Sequence, residues 1–236
     1  EDTDDNLALF ALWQLYVTLF AGLILKFDVT KEDPKVIERY DTSKLMDVSR
    51  ISKRWNNHKR YANHVKNLGK LMLLARRLAE RGAGFITVST DFVWDMHADN
   101  NNATMTEGME YVGRPFDHAV SAFIEDLEAS GLRDKILLVC CGEMGRSPKI
   151  NAKGGRDHWS GSAPLLLYGG GLKMGEVVGS STADGGEPAS DQVTIPNLYA
   201  TIMETILDVG AIRTTPGIPK EVAQVIYGAS PIRQLL

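Results

Sequence analysis

A chain of 236 residues with 44% hydrophobic content is long enough to bury a full core, as one large domain or two small ones. The net charge of −4 has both signs interspersed, with no basic block or aromatic-basic interleaving, which argues against nucleic acid as the main partner because phosphate binding needs clustered Lys and Arg. The two cysteines, Cys140 and Cys141, are adjacent and point to opposite faces of a strand, which argues against a disulfide or a cysteine-based zinc site.

The chain opens on EDTDD without an initiating methionine, as a fragment or a processed product would. Leu7 to Phe27 follows, uncharged until Lys26, and an apolar stretch of 18 or more residues is a transmembrane candidate. Gln14 and Thr18 lie mid-segment, and the leading flank is acidic rather than positive as in a secretory signal. Residues 1–27 are therefore read as an apolar helix, either packed or membrane-associated through Leu7 to Leu25.

Residues 28–236 read as a single domain. Asp33 before Pro34 marks a helix start. From Asn63 to Gly82, apolar residues at Val65, Leu68, Leu71, Leu74 and Leu78 form a one-sided helical stripe with Gly82 as its cap. His58 and His64 are read as surface residues. "FITVS", residues 85–89, is β-branched and apolar and predicts a buried strand. Residues 98–113 read as a polar loop. A helix is predicted from Pro115 to Ser130 and closes at Gly131, with His118 on its polar side in a solvated or packing role. "DKILLVCC" and "APLLLYGGG" predict two further strands. "TIPNLYATIMETIL" and the tail "GIPKEVAQVIYGASPI" predict helices. Alternating strands and helices predict a layered α/β fold with a mostly parallel central sheet flanked by helices.

The reactive residues gather near strand ends: "WDMH" after "FITVS", "GEMGR" after "ILLVCC", and "GRDHW" before "PLLLYG". In open α/β sheets, ligands bind at the carboxyl ends of strands. Asp95, His97, Glu143, Asp157 and His158 form a mixed nitrogen and oxygen set that suits zinc or manganese better than calcium or magnesium. An Asp-x-His pair in extended chain places both side chains on one face, within reach of one ion. Arg146 and Arg156 stand beside these residues, and a guanidinium fork matches a phosphate or sulfate oxyanion. The competing reading is a set of loop residues that cap strands and form surface ion pairs.

Taken in order, "LLARRLAERGAGFITVST…WDMH", "DLEASGLRDKILLVCCGEMGRSPKIN" and "GRDHW…PLLLYGGGLKMGEVVGSS" resemble the domain-of-unknown-function 1501 family, from about Phe27 to Leu207. That family is bacterial, often exported, and related to sulfatases and alkaline phosphatases. The resemblance implies a sulfatase/alkaline-phosphatase-like fold, lacking its amino-terminal part here. It also implies an exported or periplasmic location and a two-metal site around a hydroxyl or formylglycine nucleophile. On that basis Asp95, His97 and His158 would hold one metal and Glu143 a second. Asp157 would ligate or orient His158, and Arg146 and Arg156 would contact the oxyanion.

The sequence departs from that pattern in two ways. No nucleophile setting is recognisable around Ser43, Ser49, Ser89 or Thr90, so the catalytic residue stays unassigned. Glu143 also stands where relatives carry an Asp-His pair. The leading expectation is a metal-dependent hydrolase acting on small phosphate or sulfate esters. The alternatives are a catalytically incompetent metal- or oxyanion-binding module and a membrane-anchored interaction protein.

Overall fold

The computed structural model describes residues 28–89, 94–142 and 144–236; Leu7 to Leu25, Thr90 and Glu143 lie outside them. Asp33 accepts from the Lys35 amide at 2.8 Å, and Pro34 takes the first helical position of α1, Pro34–Tyr40. The longest helix among the described residues, α2, spans His58–Glu80 and buries Tyr61, Val65, Leu68 and Met72, a stripe at helical spacing. A short helix, α3, Met105–Gly108, runs through a π-helical turn at Met109–Gly113 into α4, Arg114–Ser130. Gly131, left-handed at φ 65°, closes α4.

Helix therefore occupies much of 98–113, where a loop is expected. Thr104 starts it by accepting from the Glu107 amide at 3.2 Å and donating to the Glu107 carboxylate at 3.0 Å. The T-x-x-E spacing of a capping box carries that start in the sequence. His64 also departs from its surface expectation. It is 5% exposed, with Nε2 at 3.3 Å from the Val112 carbonyl. The α2 stripe is wide enough to take position 64 inward beside Val65.

Two cores result. Leu68, Met72 and Leu73 of α2 pack with Phe123 and Leu127 of α4, Tyr40 of α1 and Tyr168. A second core gathers Ile51, Trp55, Tyr61, Val65, Met96, Tyr111 and Val112. Buried between α1, α2 and α4, Asp126 accepts from Arg76 Nε at 2.6 Å and from the Tyr40 hydroxyl at 3.1 Å.

Among the described residues the strands are β1, Leu137–Cys140; β2, Gly145–Arg146; β3, His158–Trp159; β4, Leu166–Gly169; β5, Ser180–Ser181; and β6, Pro188–Ser190. They pair as β1–β4, β2–β3 and β5–β6, each a two-stranded antiparallel sheet. This overturns the expected mostly parallel central sheet flanked by helices. The reason lies in the connections. A parallel pair needs a crossover, normally a helix, and no helix separates β1 from β4. The chain doubles back instead, setting Leu137 opposite Gly169 and Cys140 opposite Leu166. Residues 85–89 alternate in burial but pair with no strand among the described residues, and Phe85 is 84% exposed. Cys140 and Cys141 are both free thiols.

Past β6, a Thr194–Asn197 capping box starts α5, Ile195–Ile206, followed by α6, Val209–Thr214, and α7, Lys220–Tyr227. No helix among the described residues is long and apolar enough to cross a membrane.

Candidate metal centre

The site begins with Met96. Its side chain is 2% exposed in the second core, which fixes the short stretch on either side of it. The chain here is tightly turned rather than extended: the His97 amide donates to the Asp95 carbonyl at 3.0 Å. Beyond it Ala98 adopts φ 57°, unusual for a residue with a Cβ, and starts the loop that returns to Ala103. Asp95 and His97 thus turn together away from the core.

The second half of the site comes from the β2–β3 pair and the loop between them. Arg146 stands directly opposite His158, and the Ser147 amide donates to the Asp157 carbonyl at 2.9 Å to extend the ladder. Asn151 stitches the two halves together. Its Nδ2 donates to the His97 carbonyl at 3.0 Å and to Asp157 Oδ1 at 3.1 Å, while its Oδ1 accepts from the Lys153 and Gly155 amides. The Arg156 amide adds a bond to the Met96 carbonyl at 2.9 Å. Gly155 crosses the His97 backbone too closely for a side chain.

These contacts bring three ligand atoms together. Asp95 Oδ1 lies 2.9 Å from His97 Nε2 and 2.9 Å from His158 Nε2, and the two nitrogens are 3.0 Å apart. Asp95 Oδ2 accepts from Asn102 Nδ2 at 3.2 Å, which fixes the plane of the carboxylate. Burial acts to raise the Asp95 carboxyl, but hydrogen bonds from His158 and Arg146 and the charge of Arg146 outweigh it and hold the group below the ordinary carboxylate range. Asp95 is therefore ionised at neutral pH. Exposure rises outward, from 13% for the Asp95 side chain to 23% for His97 and 53% for His158. The cluster is open on the His158 side.

The donor set fits a divalent ion. Two imidazoles and one carboxylate are borderline ligands of the kind zinc and manganese accept. In a tetrahedral zinc site, bonds of about 2.0–2.1 Å place ligand atoms roughly 3.3 Å apart. The triangle here is smaller by a few tenths of an ångström on each edge, so both imidazoles would shift outward to admit an ion. Asp95, His97 and His158 can hold one metal ion. Nothing in the donor set selects among metals.

The remaining expected residues occupy varied positions. Asp157 is 65% exposed and lies beside His97, 3.8 Å from its Nδ1, rather than beside His158. Arg146 Nη2 contacts Asp95 Oδ1 at 2.6 Å. Arg156 Nη1 donates to the Ser147 and Pro148 carbonyls, both at 2.6 Å, and so clips its own loop. Ser43 and Ser49 sit in turns capped by Asp41 and Asp47. Asn102, Asn151 and Gly155 were not singled out from the sequence. Asn151 stands shortly before a Gly-Gly pair, a turn signal that says nothing of a ligand. A cleft of about 420 Å³ opens beside the triad, lined by His97, Asp99, Asn151, Ala152, Lys153 and Asp157.

The pattern of one known family, described as Protein of unknown function (DUF1501), matches residues 15–215. The chain belongs to that family. The match takes in all three triad residues and the loop that stitches them. No curated protein and no solved structure matches the chain. The DUF1501 description assigns no chemistry, so function has to be argued from the site itself.

Proposed function

We propose that this DUF1501 protein is a metal-dependent hydrolase of phosphate or sulfate esters. One observation carries the reading: Asp95, His97 and His158, separated by up to 63 positions, converge to within 3.0 Å, with His158 half exposed and His97 also lining a neighbouring cleft. A bound divalent ion supplies Lewis-acid polarisation of an ester oxygen and neutralises charge that develops there. The protein's part is to hold that point fixed. Asn102 sets the Asp95 carboxylate, Asn151 holds the His97 backbone, and β2–β3 pairing holds His158. Arg146 adds a guanidinium suited to a tetrahedral oxyanion. Among the described residues none lining the cleft carries a hydroxyl; in this reading water is the nucleophile, its proton released to solvent. Asp157 stands at the cleft wall on the Nδ1 side of His97, away from the Nε2 that faces Asp95 and His158.

The same lack of a lining hydroxyl favours a second reading, a metal- or oxyanion-binding module without turnover. Elemental analysis together with hydrolysis of 4-nitrophenyl phosphate and 4-nitrophenyl sulfate separates them. Stoichiometric metal that Asp95→Ala and His158→Ala both lose, with chelator-sensitive hydrolysis, supports the enzyme. Metal without turnover supports the binding module. A wild-type protein that takes up no divalent ion would sink the enzyme and the metal-binding form of the module.

A further inference from the structure

We propose that Arg146 is the resting counter-cation of Asp95, that a divalent ion entering the triad displaces it, and that the freed guanidinium then binds the anionic group of the substrate. The inference rests on the metal-centre reading above. It begins with crowding at one atom. Asp95 Oδ1 is met by Arg146 Nη2 at 2.6 Å, by His97 Nε2 at 2.9 Å and by His158 Nε2 at 2.9 Å. A carboxylate oxygen offers two lone-pair directions in its plane, so three nitrogens already exceed what it can accept well. An ion bound by both imidazoles needs that same oxygen. It would stand against a guanidinium of like charge, which the low exposure of Asp95 makes more repulsive.

The carboxylate cannot turn to keep both partners. Asn102 holds Oδ2, and Asn102 is itself 3% exposed and held by Asn57 at 2.7 Å. The arginine is the part that can move. Its Nη1 is buried and has no hydrogen-bond partner, so the fork already presents a charged donor without an acceptor. Its backbone is fixed opposite His158 in the β2–β3 pair, so a displaced side chain stays at the mouth of the triad. The other arginine of the region is spent on two loop carbonyls. Metal and oxyanion binding are then coupled through Arg146, and each must strengthen the other by the same factor.

Calorimetric titration of the whole chain with manganese, and with inorganic sulfate in the absence and presence of manganese, tests this on wild type, Arg146→Gln and Arg146→Lys. Removing the competing charge in Arg146→Gln should tighten manganese binding about tenfold or more, the scale of one charge-assisted hydrogen bond. The same variant should bind sulfate about tenfold more weakly than wild type when manganese is present, and about equally when it is absent. Arg146→Lys keeps the charge and loses the fork. Its manganese affinity should stay near wild type while its sulfate affinity in the loaded form falls. Should Arg146→Gln fail to fold, the lysine variant alone carries the sulfate comparison. Weaker manganese binding in Arg146→Gln would mean that the arginine holds Asp95 in place for the ion, and it overturns the proposal. So does sulfate binding that depends on Arg146 equally with and without manganese, or not at all. A wild-type chain that binds no manganese, zinc or other divalent ion removes the metal centre itself, and this inference with it.

Discussion

Gly155 lies flush against His97: a Cβ at position 155 would sit 2.1 Å from the His97 carbonyl carbon and 2.2 Å from its oxygen. Both are backbone atoms, so no side-chain rotation relieves the overlap. Gly155→Ala should displace the His97 turn, destabilise the fold by about 1–3 kcal/mol as overpacking does, and weaken metal uptake. Thermal melts and a zinc titration check it. A variant with wild-type melting and wild-type zinc affinity would show that the two segments are not in register as described.

Asn151 is expected to act on the metal without touching it. Asn151→Asp keeps the acceptor for the Lys153 and Gly155 amides but loses the donor that serves His97 and Asp157. Partners that hold ligands in place typically alter metal affinity by about 10–100-fold when changed. A competition titration against a chelating dye should find a loss of that order, with melting temperature shifted far less than in Gly155→Ala. Unchanged affinity would demote Asn151 to loop structure alone.

The Arg76–Asp126 pair should dominate stability far from the site. Their side chains are 9% and 7% exposed, and Asp126 also accepts from Tyr40. Asp126→Ala leaves the buried Arg76 with Glu80 alone, 2.8 Å from its Nη1, and should cost about 2–3 kcal/mol, read from urea unfolding. Replacing both partners together, as Arg76→Met with Asp126→Leu, should recover much of that loss. A double variant as unstable as the single one would mean that the pair is worth more than its burial.

His64 gives the fold a pH dependence of known sign. Burial holds its imidazole below the ordinary value of 6.5, opposed by the bond to the Val112 carbonyl. The unfolded chain therefore binds a proton that the folded chain refuses. Stability contributed by neutral His64 is complete above about pH 6.5 and declines as pH falls from there toward the lower folded value. In His64→Gln that component is absent. Melting curves of wild type and variant should converge as pH drops from about 7.5 to 5. Parallel curves across that range would show that His64 is not held neutral.

The helices were legible in the sequence because their signal is local. Val65, Leu68 and the rest of the α2 stripe repeat at helical spacing, and Gly131 ends α4 where the apolar face stops. Strand direction is not a local property. "ILLVCC" and "PLLLYGG" both form strands, yet their pairing depends on what joins them, and the helix-free stretch between them decided it. "FITVS" has the composition of a strand but finds no partner among the described residues. The site shows the same division. Reactive residue types near strand ends singled out Asp95, His97 and His158, which the fold gathers. The choice of Asp157's neighbour, the Arg156 clip and the Asn102 support depend on side-chain geometry across segments, which spacing does not encode.

Met96 places one residue of the hydrophobic core between Asp95 and His97 of the candidate triad. Its sulfur fills a space against Gly108 so closely that a Cβ there would lie 2.5 Å away. On the metal-centre reading, loading of the triad and packing of the core are two readouts of one equilibrium. An ion that binds only the folded chain raises its melting temperature in proportion to the logarithm of its concentration. A cavity made remotely, at Val112 or Tyr111, would register first as a weaker grip on metal, before any loss of helix. Thermal shift across a panel of ions is therefore also a survey of how well the core is packed.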